Sequence, residues 1–243
     1  MPFLDLKTAA QDPINILLAQ TAATLFSLLL GFSWLRITDW KNALGIHPVP
    51  CSVLLGGAVL GAALQFPLTE LTNWLQVWFP VAVEEQLAFE KLLHPDGAWL
   101  MAVIGIAIVV AAPIGEELIF RGLIFRGLIR NYRPALAVLL SAILFGIAHM
   151  APTRFVYATL MGIVLSVVVL RTGSVLPSIA SHAAFNAMPV LLPKSVVRLP
   201  GFNVMSTHIE HLPTWLILSS SLLFILSFVW MMRHPSAAPL VDP

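Results

Sequence analysis

The sequence predicts an all-α protein, a polytopic transmembrane helical bundle of about seven to eight membrane helices. Of its 243 residues, 58% are hydrophobic and only 10% are charged, and the mean hydropathy is +0.90. A soluble domain is usually about a quarter charged and about half apolar. No water-soluble fold could bury this much apolar surface, so we expect a multi-pass integral membrane protein, in a bacterial plasma membrane.

Long uncharged runs give the order of the predicted helices. A helix needs about 20 residues to cross ~30 Å of hydrocarbon. Runs near that length lie at 14–35, 51–69, 97–115, 134–153, 172–193 and 212–232, and a shorter one lies at 155–170. Segment 70–96 is acidic and broken by prolines, which predicts an exposed or interfacial excursion, and 116–133 does not read as a span. No linker or repeat divides the chain, so we predict one membrane-embedded domain over 1–243 with a motif-bearing core at about 110–190.

Charge and cysteine content exclude several classes of function. The formal net charge is +1, without the basic stripe that nucleic-acid binding requires, so we expect membrane lipid and no nucleic acid as partners. Cys51 is the single cysteine. An internal disulfide or a thiolate metal cage is therefore excluded.

A few ionisable and amide side chains lie in or beside the apolar runs. A charged side chain at bilayer depth costs at least ~2.5–3.5 kcal/mol, so such groups are functional candidates. They are Glu116 and Glu117 after the run 97–115, His149 in the run 134–153, and His182 and Asn186 in the run 172–193.

The two adjacent glutamates are expected to differ in role. Glu117 and Arg121 are four residues apart, with the acid on the N-terminal side, which favours an ion pair on one helical face. Glu116 is rotated by about 100° from Glu117 and has no local partner, which leaves its carboxylate available as a general base. The alternative is that both acids only stabilise a helix start after Pro113.

Helix lengths predict that these groups lie at one depth. If residues 131–134 form the turn of a helical hairpin, Glu116 precedes its centre, and His149 follows it, by about sixteen residues. Turns near 151–154 and 172–174 then return Asn186 to within ~6 Å of the level of His149. His182 shares a helical face with Asn186.

This set of groups suits direct attack of water on an amide or ester carbonyl. Glu116 and His149 would activate the water, and His182 and Asn186 would donate hydrogen bonds to the developing oxyanion. A serine nucleophile is disfavoured because Ser181 and His182 are helix neighbours that point about 100° apart.

At these residues the sequence resembles the CPBP intramembrane protease family, which includes the type II CAAX prenyl proteases and the bacterial Abi proteins. Three motifs mark that family, and each occurs here in the family's order. They are Glu116-Glu117 followed by Arg121, Phe145 followed by His149, and His182 followed by Asn186. Each motif alone is weak, but the three in sequence are a strong signal.

The resemblance implies an intramembrane endopeptidase that hydrolyses a peptide bond with glutamate-activated water. It implies Glu116 as base, His149 as its helper and His182 with Asn186 as the oxyanion site, supported by Glu117, Arg121 and Phe145. The substrate would be a peptide or protein with a membrane-associated or lipidated terminus.

Two alternatives remain open at this stage. Family members have also been described as metalloproteases, and Glu116, His149 and His182 could form a zinc site. We expect no metal and no other cofactor, because Asn186 is a poor zinc ligand and a zinc-bound Glu116 would leave no carboxylate as base. A non-catalytic immunity or binding protein of the same fold is the other alternative, and the intact motifs disfavour it.

Overall fold

A computed structural model describes residues 13–36, 38–204 and 208–233, so both ends of the predicted domain lie outside the described residues. The helices are α1 (Pro13–Leu35), α2 (Trp40–Leu44), α3 (Cys51–Leu75), α4 (Val83–Leu93), α5 (Ala98–Ile129), α6 (Pro134–Ala148), α7 (Pro152–Thr172), α8 (Leu176–Leu191) and α9 (Thr214–Met232). No strand occurs among the described residues. The predicted all-α class is confirmed.

Four of the described helices, α3, α5, α7 and α9, are long and apolar enough to cross a membrane. Two shorter apolar helical stretches are Leu17–Ser33, within α1, and Pro134–Ala148, which is α6. Together with their exposed apolar side chains, these helices make the chain an integral membrane protein. The count of seven to eight membrane helices remains a prediction.

Helix α5 differs from the prediction, which ended its apolar run at 115. It continues to Ile129 and is 32 residues long. The charges at Glu117 and Arg121 do not end the helix because both side chains are fully buried and paired with each other. Similarly, α3 continues beyond the predicted run to Leu75, and the predicted excursion contains the short helix α4.

Helices α3 and α8 pack closely along surfaces of small residues. A Cβ on Gly57 would lie 2.6 Å from the Pro177 carbonyl oxygen, and a Cβ on Gly61 would overlap the carbonyl oxygen of Ser181. Because 57 pairs with 177 and 61 with 181, the two helices run parallel. This contact fixes the position of α8, which contains His182.

Helices α6 and α7 form an antiparallel hairpin against α5. Gly162 lies against Ala142, and Gly146 lies against Thr159 and the Phe155 backbone. The turn between the helices includes Met150, whose φ of 55° is left-handed. Helix α6 therefore ends at Ala148, with His149 directly before the turn.

The connection from α8 to α9 is attached to the end of α3. Glu70 accepts hydrogen bonds from the Leu212 main chain at 2.9 Å and from His211 Nδ1 at 2.7 Å. Within the connection, Asn203 donates to the Leu192 and Val197 carbonyls. Polar contacts at the C-terminal ends of α3 and α8 thus hold these helices at one end of the bundle.

Replacing Gly61 with alanine should destabilise the bundle, since the new methyl group overlaps the Ser181 carbonyl of α8. Overpacking of this kind costs roughly 1–3 kcal/mol. We expect a lower thermal midpoint for Gly61→Ala in detergent micelles. Gly105→Ala is the matched control, because a Cβ at Gly105 meets no atom within 4 Å. Equal midpoints for the two variants would contradict the packing.

Candidate active site

The glutamate pair lies in a segment of α5 with an altered hydrogen-bond pattern. Residues Ile106–Ala111 and Leu118–Phe125 are π-helical, and the α-helical turn Ala112–Glu117 lies between them. Pro113 accounts for the first π-helical segment, because proline has no amide hydrogen and clashes with the preceding turn. Segments of π-helix inside α-helices occur frequently at functional sites.

The altered pattern leaves one carbonyl of α5 to a side chain of α8. The Ala112 N–H donates to Ala107, so the same spacing would require residue 113 to donate to Ile108. Residue 113 is proline and cannot donate. Asn186 instead donates from Nδ2 to the Ile108 carbonyl at 3.0 Å.

Glu117 and Arg121 form the ion pair that their spacing predicts. Arg121 Nη1 lies 2.7 Å from Glu117 Oε1, and both side chains are 0% exposed. The guanidinium also donates from Nη2 to the Gly162 carbonyl at 3.3 Å, and its Cζ lies 4.3 Å from the centre of the Phe145 ring. Arg121 therefore connects α5 with α6 and α7.

The His182 ring lies between the two glutamates. Its Nδ1 is 3.0 Å from Glu117 Oε1, and its Nε2 is 3.9 Å from Glu116 Oε2. Since an ionised carboxylate only accepts, Nδ1 is the donor to Glu117. This bond turns the other ring nitrogen toward Glu116.

The two glutamates differ in exposure. The Glu117 side chain is 0% exposed, whereas that of Glu116 is 30% exposed. Glu117 is enclosed by Arg121 and His182. Glu116 thus has the access that a group acting on water or substrate requires.

His149 reaches this cluster through Phe145. It forms the C-cap of α6, and its Nδ1 donates to the Phe145 carbonyl at 2.8 Å. The buried Phe145 ring meets the His149 ring edge-to-face at 4.7 Å and the His182 ring at 5.8 Å. In a neutral ring this donor leaves Nε2 of His149 as an acceptor.

The structure therefore brings Glu116, Glu117, Arg121 and His182 into direct contact or near contact. Phe145 joins His149 to them, and Asn186 lies one helical turn from His182 on the same face. Helix α5 contributes the fully buried Phe125 to an apolar core cluster. Its other buried members are Ile129, Ala137, Val138, Val169 and Val175. Glu116, His149 and Asn186 are partly exposed.

The candidate zinc ligands Glu116, His149 and His182 are not assembled as a metal cluster among the described residues. Among the described residues, no group of three or more His, Cys, Asp and Glu side chains is placed to hold a metal ion. His182 donates from Nδ1 to Glu117, and His149 donates from Nδ1 to a main-chain carbonyl, so neither contact occupies Nε2.

A comparison with known families matches part of the chain. Residues 98–188 match the family model described as type II CAAX prenyl endopeptidase Rce1-like. The predicted family resemblance is confirmed over these residues. The Rce1-like segment begins with α5, ends within α8 and includes all seven motif residues. No curated protein and no solved structure matches the chain.

Several contributors to the candidate site were not predicted from the sequence. Gly162 provides the carbonyl that Arg121 contacts, and Tyr157 packs its ring 6.2 Å from that of His149. Ile108 takes part only through its main chain. Pro113 was the one visible signal, since a proline inside an apolar run predicts a break in the main-chain hydrogen bonds.

Removing only the cation of the buried pair should destabilise the fold. Arg121→Met leaves Glu117 charged and buried, and breaking such a pair typically costs about 3–5 kcal/mol. We expect a marked fall in the thermal midpoint in detergent. Arg130→Met is the control, because Arg130 is exposed at the end of α5. A midpoint for Arg121→Met equal to that of wild type would contradict the assigned pairing.

Proposed function

We propose that the chain is an intramembrane endopeptidase that uses water activated by Glu116. The Rce1-like match points to a CAAX-type membrane peptidase. The observation that supports Glu116 as its base is the placement of a partly exposed carboxylate 3.9 Å from His182 Nε2, beside a fully buried ion pair. The charge of Glu117 is balanced by Arg121, whereas Glu116 remains available to accept a proton.

In the proposed reaction Glu116 accepts a proton from water while the water oxygen bonds to the scissile carbonyl carbon. His149 assists through Nε2, which its contact with the Phe145 carbonyl leaves as an acceptor. When the tetrahedral intermediate collapses, the C–N bond breaks and Glu116 returns the proton to the leaving amine. The products are a carboxylic acid, which keeps the second proton of the water, and an amine, with no net change at the glutamate.

The oxyanion of that intermediate requires donors. His182 would donate from Nε2, so in this role its ring holds protons on both nitrogens, one of them shared with Glu117. The charges of Glu116, Glu117, Arg121 and His182 then sum to zero, which suits an apolar environment. Asn186 would donate its second amide hydrogen, since Nδ2 has two and the Ile108 carbonyl accepts one.

We propose that no metal or other cofactor is needed. Carboxylate, imidazole and amide groups supply a base and two donors for the whole sequence. Zinc bound to Glu116 and to Nε2 of His149 and His182 is the competing mechanism, and it would keep the Nδ1 hydrogen bonds of both histidines.

The substrate class follows from where the site lies. Glu116 lies in α5, which is long and apolar enough to cross a membrane, and His182 approaches it from α8. A substrate must therefore bring its scissile bond to the bilayer, which suits a peptide or protein with a membrane-associated or lipidated terminus. We place this activity in a plasma membrane of bacterial type, with lipid as the constant partner.

The proposed function is tested by cleavage of a farnesylated CAAX peptide, with an unlipidated transmembrane peptide in parallel, by protein reconstituted in vesicles. Glu116→Gln should reduce kcat by at least ~10²-fold, because general-base catalysis typically contributes 10²–10⁴-fold. Its thermal midpoint should stay near that of wild type, since Glu116 is only partly buried.

Glu84→Gln is the control, an exposed glutamate in α4. Each variant is also assayed with a chelator and with zinc added back. Equal kcat for wild type and Glu116→Gln would contradict the proposed base. Inhibition by the chelator that zinc reverses would contradict the metal-free mechanism alone.

A further inference from the structure

Pro113 lies one turn before Glu117. Because proline has no amide hydrogen, it cannot donate a main-chain hydrogen bond within α5. We propose that Pro113 is a positioning residue for Asn186. By removing a main-chain donor, it reserves the Ile108 carbonyl for the Asn186 amide. This inference rests on the proposed function, because Asn186 acts there as an oxyanion donor.

The hydrogen-bond pattern of α5 supports this assignment. In the π-helical segment Ile106–Ala111, the Ala107 carbonyl accepts from Ala112, which lies five positions later. The next carbonyl in this register is that of Ile108, and its donor would be residue 113. A non-proline residue at this position would supply an N–H beside the Ile108 carbonyl. Asn186 would then compete with the main chain for its acceptor.

The environment makes this carbonyl a strong anchor. In a bilayer no bulk water is present to satisfy a free carbonyl, and an unsatisfied group costs several kcal/mol. Asn186 is partly buried and donates to this carbonyl at 3.0 Å. One N–H of the amide is therefore fixed, and the direction of the second N–H is fixed with it, since the amide is planar.

The anchor also acts on His182 because the two side chains share α8. His182 contacts Glu117 on the C-terminal side of Pro113, and Asn186 contacts Ile108 on its N-terminal side. Helix α8 is therefore attached to α5 on both sides of the proline. Sliding or rotation of α8 would break one of the two contacts.

The competing explanation is that Pro113 only bends α5. A bend would be a property of the helix alone, and its loss would affect the enzyme whether or not Asn186 is present. The positioning role predicts a different result, in which Pro113 matters only while Asn186 is there to be positioned. A double-mutant cycle separates the two explanations.

The experiment measures kcat, KM and thermal midpoint for wild type, Pro113→Ala, Asn186→Ala and the double variant, using the farnesylated CAAX peptide in vesicles. Pro113→Ala should keep or raise the midpoint, because alanine is the better helix former and adds a hydrogen bond. Its kcat should fall by at least ~10-fold with little change in KM, and by no more than the ~10²–10³-fold expected when an oxyanion donor is lost completely.

Asn186→Ala should lower the midpoint, since the Ile108 carbonyl loses its donor. Adding Pro113→Ala to Asn186→Ala should restore the midpoint and leave kcat unchanged. Pro67→Ala, at a proline inside α3, is the control and should retain wild-type kcat.

The inference is overturned by wild-type kcat in Pro113→Ala, by losses in kcat that multiply in the double variant, or by a fall in the midpoint of Pro113→Ala. The midpoints test the shared carbonyl without any substrate. If the wild type cleaves nothing but the double variant recovers its midpoint, the proposed function fails while the competition for Ile108 stands.

Discussion

The buried Glu117–Arg121 pair is the interaction on which the rest of this site depends. A lone charge in an apolar bundle is too costly to keep, so each side chain requires the other. Arg121 Nη1 lies 2.7 Å from Glu117 Oε1, and both side chains are fully buried. Glu117 Oε1, which accepts from Arg121, also accepts from Nδ1 of His182. This second bond turns the other ring nitrogen of His182 toward Glu116. An ion pair inside one helix thus determines how a histidine from another helix faces the candidate base.

The helices around this pair allow the close approach that it needs. Gly162 has no side chain, so its carbonyl lies within reach of Arg121. Gly61 lets α8 lie against α3 with backbone contact. Packing of small residues is a general feature of membrane helices, where burial in lipid gives little drive for association. Here the same packing sets the distance from α8, which contains His182, to the glutamates of α5.

Much of this arrangement could be predicted from the sequence. The apolar runs indicated the class of fold, and the spacing of Glu117 and Arg121 indicated their pairing. The length of α5 was not predicted, because the span was ended at the first charged residues. The pairing of Glu117 with Arg121 lets the helix continue beyond them. Hydrogen bonds to main-chain groups were also hidden. Spacing placed Asn186 on the face of His182, but nothing in its identity indicated that Ile108 would be its partner.

The buried Glu117–Arg121 pair orients His182 in addition to stabilising the fold. Replacing both charges with apolar side chains of similar size tests it directly, since such replacements in other proteins are often neutral or stabilising. For Glu117→Leu combined with Arg121→Met, we expect a thermal midpoint near that of wild type and a kcat reduced by at least ~10²-fold, as for a lost oxyanion donor. A stable double variant that retains wild-type kcat would contradict the claim.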